Sequence, residues 1–279
     1  MLEKAVGTKQ GSIRAALRGP FFSATAPLAA PHWTTTLTAP FLIIETGQPV
    51  ASMRRHGTFP HWIRVASGLP RDRAVTINVQ AGDTLPTTEG FAGVIVTGSD
   101  AMVTERHDWS EATAAWLADA ARAGFPVFGI CYGHQLLAHA LGGEVGNNPA
   151  GREMGTQEIE LLPAAAADAL FAPLPERFPV QLTHEQSVLR APDGATVLAR
   201  SALDACQSFR WGDNAWGVQF HPELSATHMR GYIQARKVAL QREGLDPAAM
   251  AAGVAAAPEG RRVLRRFVHH ATALSRSRG

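Results

Sequence analysis

The run Val127-Phe128-Gly129-Ile130-Cys131-Tyr132-Gly133-His134-Gln135-Leu136-Leu137-Ala138 decides how this chain is read. An apolar stretch of strand type meets small residues around one cysteine and then continues with helical spacing. A sharp strand-to-helix turn leaves no room for a Cβ beside a nucleophile. Gly129 and Gly133 stand two residues either side of Cys131, so the segment reads as a nucleophile elbow. A thiol at a helix N-terminus feels the positive end of the helix dipole, which lowers its pKa from about 8.5. The backbone N–H of Tyr132 then points to where an oxyanion would form. Taken alone, the same segment also suits a small buried cysteine at a strand end, the commonest fate of a lone Cys, so a base is needed to decide.

The flanking sequence sets the fold. Short β-rich runs at 41–45, 74–79, 93–97 and 126–130 read as buried strands, and segments with helical spacing lie between them at 60–68 and 110–123, the second starting at Ser110-Glu111. This alternation predicts an α/β fold with an open, mainly parallel sheet flanked by helices. Beyond residue 150 the strand candidates become closely spaced, at 157–162, 180–183, 196–199, 206–211 and 215–220. The last two form an antiparallel hairpin turned by Gly212, Asp213 and Asn214. After Glu223 the chain reads as helical, with breaks at 244–247 and 258–260. Residues 1–40, where Lys4, Lys9, Arg14 and Arg18 face the single acid Glu3, read as a flexible leader with a bias loosely like a transit peptide. Residues 41–279 read as a single domain with a C-terminal helical extension.

Composition narrows the function classes. With 46% hydrophobic and 18% charged residues, 279 residues can bury a substantial core. Lys plus Arg number 26 against 24 for Asp plus Glu, a balance that speaks against nucleic acid as the main partner. Only Cys131 and Cys206 occur, too few for a disulfide framework, and no apolar run reaches membrane-spanning length. A cytoplasmic protein with no membrane partner is expected. His134 and His139, five residues apart on the elbow helix, do not share a face, and no metal or other cofactor is expected. Cys206 reads as core, and the pairs Arg261-Arg262 and Arg265-Arg266 as a solvated face.

The base comes from Trp216-Gly217-Val218-Gln219-Phe220-His221-Pro222-Glu223, where an apolar strand delivers His221 at its C-terminal end with a carboxylate two residues on. His221 can take a thiol proton and return it to a leaving amine while Glu223 orients the ring. Together, Cys131-Tyr132-Gly133-His134-Gln135 and Val218 to Glu223 resemble the class I glutamine amidotransferases, most nearly free-standing relatives of the amidotransferase domain of GMP synthase, over 41 to about 227.

That resemblance implies a flavodoxin-like fold, Cys131 as nucleophile, His221 as general acid/base and Glu223 as the third triad member. It places the oxyanion hole at Tyr132, Gly98 and Ser99. Gln135 matches the position that holds glutamine, and Gly133, His184 and Gln186 go to the same substrate pocket. Two loops depart from the family pattern. In Thr97-Gly98-Ser99-Asp100, Ser99 and Asp100 replace the second glycine and the proline of a Gly-Gly-Pro loop. In Thr183-His184-Glu185-Gln186, Glu185 and Gln186 replace Gly and Asp, which displaces an acid expected to meet the substrate's α-amino group. Gly151-Arg152-Glu153-Met154-Gly155 resembles the family's Gly-Lys-Glu-Ile-Gly and is assigned to the start of a strand.

The reaction implied is glutamine hydrolysis through a γ-glutamyl thioester. Residues 224–279 hold no Gly-rich phosphate loop, so no fused synthetase is expected and the ammonia would pass to a separate synthetase partner. The same triad also suits a γ-glutamyl peptidase or hydrolase without an ammonia acceptor. An α/β-hydrolase shares the Gly-x-nucleophile-x-Gly elbow, but there the acid precedes the histidine. A catalytically silent binding scaffold is the non-enzyme alternative, favoured by the altered loops and opposed by the intact triad.

Overall fold

The computed structural model describes residues 39–278. The expected leader falls outside these residues except for Ala39 and Pro40, which belong to the folded body. Ala39 packs against the core, and the Pro40 carbonyl accepts from the Ala92 N–H at 2.8 Å.

Eleven strands are present among the described residues: β1 (Phe41–Glu45), β2 (Ala74–Asn78), β3 (Gly93–Val96), β4 (Val127–Ile130), β5 (Glu144–Asn147), β6 (Glu153–Leu161), β7 (Arg177–His184), β8 (Gln186–Arg190), β9 (Ala195–Arg200), β10 (Ser208–Trp211) and β11 (Ala215–Val218). Nine form one sheet in the order β2-β1-β3-β4-β11-β10-β9-β6-β7. The first five are mutually parallel, and every pairing from β11 outward to β7 is antiparallel. The antiparallel part is thus broader than the single hairpin expected, although that hairpin is present as β10–β11. β5 and β8 pair separately in a two-stranded sheet that the sequence did not suggest, because neither is a continuous apolar run.

Burial of both faces accounts for the apolar runs of β1, β3, β4 and β11, whereas the edge strand β2 is partly exposed. Along β1, Phe41 and Ile43 join the core on one face and Leu42 and Ile44 the core on the other, as a two-residue period requires. Helices α1 (Phe59–Ser67) and α7 (Pro258–Arg278) contribute Ile63, Val263 and Phe267 to the first core. Helices α2 (Asp108–Arg122) and α3 (Tyr132–Ala140) contribute Leu117, Leu136 and Leu137 to the second. A third cluster lies under α4 (Ala226–Ala235), α5 (Lys237–Arg242) and α6 (Pro247–Ala252), where Met229, Tyr232 and Leu240 meet Met53, Phe59 and Met154.

Two helix boundaries differ from expectation. α2 begins at Asp108, so Ser110 lies inside it and turns its hydroxyl to the buried Tyr132 hydroxyl at 2.6 Å. Pro258 starts α7 instead of breaking a helix, consistent with the tolerance of the first helical position for a residue without an N–H. No helix among the described residues is long and apolar enough to cross a membrane.

Candidate active site

Cys131 is the single residue between β4 and α3, with φ 51° and ψ −101°. Such backbone strain costs roughly 1–3 kcal/mol for a residue other than glycine and concentrates at functional sites. The flanking glycines are required by close approach. A Cβ on Gly129 would lie 2.3 Å from the Gly133 carbonyl oxygen, and one on Gly133 would lie 2.7 Å from that of Val96. The elbow is tied down on both sides, with the Cys131 N–H donating to the Val218 carbonyl at 2.8 Å and the Gln135 N–H donating to the Cys131 carbonyl at 3.0 Å.

The sheet brings the histidine to the same place. β11 lies beside β4 in parallel, with Gly217 opposite Gly129 and Val218 opposite Ile130, so both strands end at one edge. His221 follows, its N–H donating to the Gln181 carbonyl at 2.9 Å, and its Nδ1 bonds Glu223 Oε1 at 2.7 Å with both side chains buried. The Phe59 ring stacks on the imidazole at 6.4 Å between centroids. Nε2 has no hydrogen-bond partner of standard geometry, which leaves it available beside the thiol.

Cys131 and His221 line one cavity, and each moves the other's titration. Burial alone would push the thiol up, but the charge of His221, and beyond it that of His184, holds it below an ordinary cysteine. Burial alone would push His221 down, yet Glu223 and Cys131 raise it well above an ordinary histidine. The arrangement favours a thiolate beside an imidazolium.

The loop after β3 is held by two threonines. The Gly98 carbonyl accepts from the Thr97 hydroxyl at 2.8 Å, and the Thr46 hydroxyl lies 3.2 Å from the same oxygen. Because a trans peptide carries its N–H opposite its C=O, anchoring that carbonyl directs the Ser99 N–H away from the threonines. A Cβ on Gly98 would sit 3.0 Å from His221 Cε1 and 3.8 Å from Cys131 Cβ, so this loop closes directly over the site. The Tyr132 N–H, at the first helical position, has no intrahelical acceptor.

A small cleft opens beside Cys131, lined among others by Ser99, Gln135, His184, Gln186 and Arg236. Gln135 donates from Nε2 to the Gln186 carbonyl at 2.6 Å and to Gln219 Oε1 at 2.9 Å, which leaves its Oε1 for a ligand. Gln186 donates to Thr104 Oγ1 at 2.7 Å, and its buried Oε1 has no donor. Gly133 does not line this cleft but lies beneath it against Val96. Glu185 lines the cleft while ion-paired to Arg152, which Glu243 also binds at 2.8 Å, so its charge is already compensated.

His184 donates from Nδ1 to the Gln186 carbonyl at 2.9 Å and from Nε2 to Glu153 Oε2 at 3.1 Å. Both ring nitrogens donate only in the imidazolium. Burial works against that charge, but Glu153 and the Cys131 thiol raise the pKa overall. Glu153, His184 and Asp204 have potential ligand atoms within 4.8 Å of one another. With both His184 nitrogens engaged in hydrogen bonds, no ring lone pair is left for a cation.

The remaining candidates separate cleanly. His134 is buried against Gly217, neutral, with its pKa pushed down to about 3 by burial, whereas His139 faces Glu111 at 3.2 Å at the surface. Cys206 is buried just before β10, and burial pushes its thiol up to about 12. Arg265 and Arg266 are not merely a solvated face, since they donate to the Ala66 carbonyl at 3.0 Å and the Leu170 carbonyl at 2.9 Å, tying α7 to the body. Sequence reading missed Arg236 at the end of α4, which bonds Thr183 Oγ1 at 3.0 Å, because no motif marks it.

Comparison with known proteins gives the family and the fold. A family model described as glutamine amidotransferase class-I matches residues 71–239. A glutamine-hydrolysing GMP synthase of Aeropyrum pernix is 43% identical over 147 residues, covering 52% of this chain and 26% of the relative. One of Thermomicrobium roseum is 40% identical over 142 residues, covering 50% and 25% respectively, so the chain matches about a quarter of the length of each. The crystal structure of a glutamine amidotransferase of Thermotoga maritima superposes with a TM-score of 0.66 at 21% identity, covering 84% of this chain and 98% of that one, a likeness of fold.

Proposed function

The chain belongs to the class I glutamine amidotransferase family, and on that premise we propose that it hydrolyses the side-chain amide of glutamine with Cys131 as nucleophile. The observation carrying this reading is the strained elbow that presents Cys131 in one cavity with His221, itself held at 2.7 Å by the buried Glu223.

The Cys131 thiolate attacks the γ-amide carbon of glutamine bound in the cleft beside Gln135, Gln186 and His184. The Gln186 Oε1 and the Asp100 carboxylate are acceptors suited to the α-ammonium group, a role for which the compensated Glu185 is unsuited. The N–H groups of Tyr132 and of the Gly98-Ser99 loop receive the oxyanion. Losing one such donor costs roughly 2.7–4 kcal/mol of transition-state stabilisation. His221 gives its proton to the departing nitrogen, then takes one from the water that cleaves the thioester, releasing glutamate and restoring the thiolate. Acid/base assistance of this kind contributes about 10²- to 10⁴-fold, and the covalent route divides one difficult cleavage into two easier steps. The ammonia passes to a separate synthetase in this reading.

Ammonia and glutamate release measured separately test the proposal. Glutamine turnover that disappears in Cys131→Ala supports it, and turnover retained in that variant overturns it.

A further inference from the structure

Cys131 shares a cavity with each of two histidines. His221 lines one with it, and His184 lines the cleft that also holds Gln135. Each ring is bonded to a buried carboxylate, His221 to Glu223 and His184 to Glu153. The first pair belongs to the proposed triad, and the second has no part in it.

The second pair is built into the sheet. Glu153 opens β6 and His184 closes β7, and the two stand directly opposite in the antiparallel β6–β7 ladder, which sets their side chains next to each other. Only 3% of the Glu153 side chain and 1% of that of His184 are exposed. Glu153 Oε2 accepts from His184 Nε2 at 3.1 Å and from Gln207 Nε2 at 2.7 Å. The other ring nitrogen, Nδ1, faces the Gln186 carbonyl at 2.9 Å, a group that can only accept. An acceptor on each nitrogen calls for a proton on each, and so for a positive ring. As a source of stability a buried ion pair is weak, because desolvation consumes what attraction supplies. Its place beside Cys131 gives it another use.

The titratable groups around His184 come from four segments. Glu153 stands on β6, Cys131 at the elbow, His134 on α3 and Asp204 in the loop before β10. Glu185, next in the chain, is turned to Arg152. His134 is neutral, and burial raises Asp204 above an ordinary aspartate. Among the described residues, Glu153 supplies the one carboxylate hydrogen-bonded to the ring.

We propose that Glu153 is a positioning residue for the Cys131 reaction, fixing His184 as a second positive charge beside the sulfur, in the cleft that His221 does not line. This rests on the proposed role of Cys131 as nucleophile. The sign of the effect is distinctive. Acting directly, the negative charge of Glu153 opposes a thiolate, so its removal would make the thiolate easier to form. Acting through His184, its removal lets the ring become neutral and makes the thiolate harder to form.

Two measurements test this. In protein carrying isotope-labelled histidine, nuclear magnetic resonance should show both ring nitrogens of His184 protonated at neutral pH in the wild type, and a neutral ring in Glu153→Gln. A neutral ring in the wild type overturns the proposal whether or not any variant folds. The second measurement is iodoacetamide labelling of Cys131, followed at its own peptide by mass spectrometry. Labelling of Glu153→Gln should be several-fold slower than that of the wild type in mildly acidic buffer and equal to it in alkaline buffer, a recovery that a general loosening of the site would not give. Glu153→Gln combined with His184→Gln should match His184→Gln alone. Faster labelling in Glu153→Gln, an unmoved profile, or effects that add in the double variant would each overturn the proposal. Glutamine turnover is scored separately. Turnover in the wild type with an unmoved labelling profile removes Glu153 and leaves the glutaminase reading standing, whereas a shifted profile without any turnover sinks the glutaminase reading and leaves the action of Glu153 on the thiol.

Discussion

The conformation of Cys131 predicts that the residue proposed as nucleophile destabilises the fold. At φ 51° and ψ −101° any side chain is strained, whereas glycine is not. Cys131→Gly and Cys131→Ala both delete the thiol and its coupling to His221, so that contribution cancels between them and the backbone difference remains. Relief of roughly 1–3 kcal/mol of strain is opposed by about 0.4–1 kcal/mol from the greater freedom of glycine in the unfolded chain. The net is about 1 kcal/mol in favour of the glycine variant at the middle of these ranges, which for a body of this size corresponds to a Tm about 2–4 °C above that of the alanine variant. Reversible thermal unfolding followed by circular dichroism measures it, with both variants inactive. An alanine variant as stable as the glycine variant, or more so, would refute the claim that the elbow stores strain at this residue.

His184→Gln removes the buried imidazolium that helps hold the Cys131 thiol below its ordinary value. The pH at which iodoacetamide labelling of Cys131 reaches half its maximum should move upward, making labelling several-fold slower in mildly acidic buffer; an unmoved profile removes His184 from thiolate stabilisation. At Gly217, an added Cβ would lie 2.4 Å from His134 Nδ1. Gly217→Ala should cost about 1–3 kcal/mol through overpacking, and combining it with His134→Ala should cost less than the sum of the single changes. Denaturant midpoints that simply add would deny the contact.

The parallel half of the fold was legible because β1, β3, β4 and β11 are buried on both faces and so appear as unbroken apolar runs, as in Phe41 to Ile44, while the half-exposed edge strand β2 shows itself by the β-rich run at 74–78. Cys131, His221 and Glu223 were legible because glycines enforced by close approach and a histidine at a strand end leave local signatures. β5 and β8 were not, since Glu144, Asn147 and Arg190 interrupt any alternation and the pairing is fixed by tertiary contact. Nor was Arg236, whose place comes from the cavities it lines and not from its neighbours in the chain. The departure at Glu185 was visible as a substitution, but its compensation by Arg152 was not, because that pairing depends on how two distant loops meet.

The placement of β11 between β4 and β10 has a consequence for biosynthesis. During translation Cys131 emerges from the ribosome well before His221, and the whole excursion through β5 to β10 must be completed before Ala215–Val218 can slot into the middle of the sheet. Until that long-range pairing closes, a slow kind of event in folding, the nascent thiol has no imidazole beside it. The pairing of thiol and imidazole therefore arrives with insertion of this central strand, and until then Cys131 behaves as an ordinary thiol.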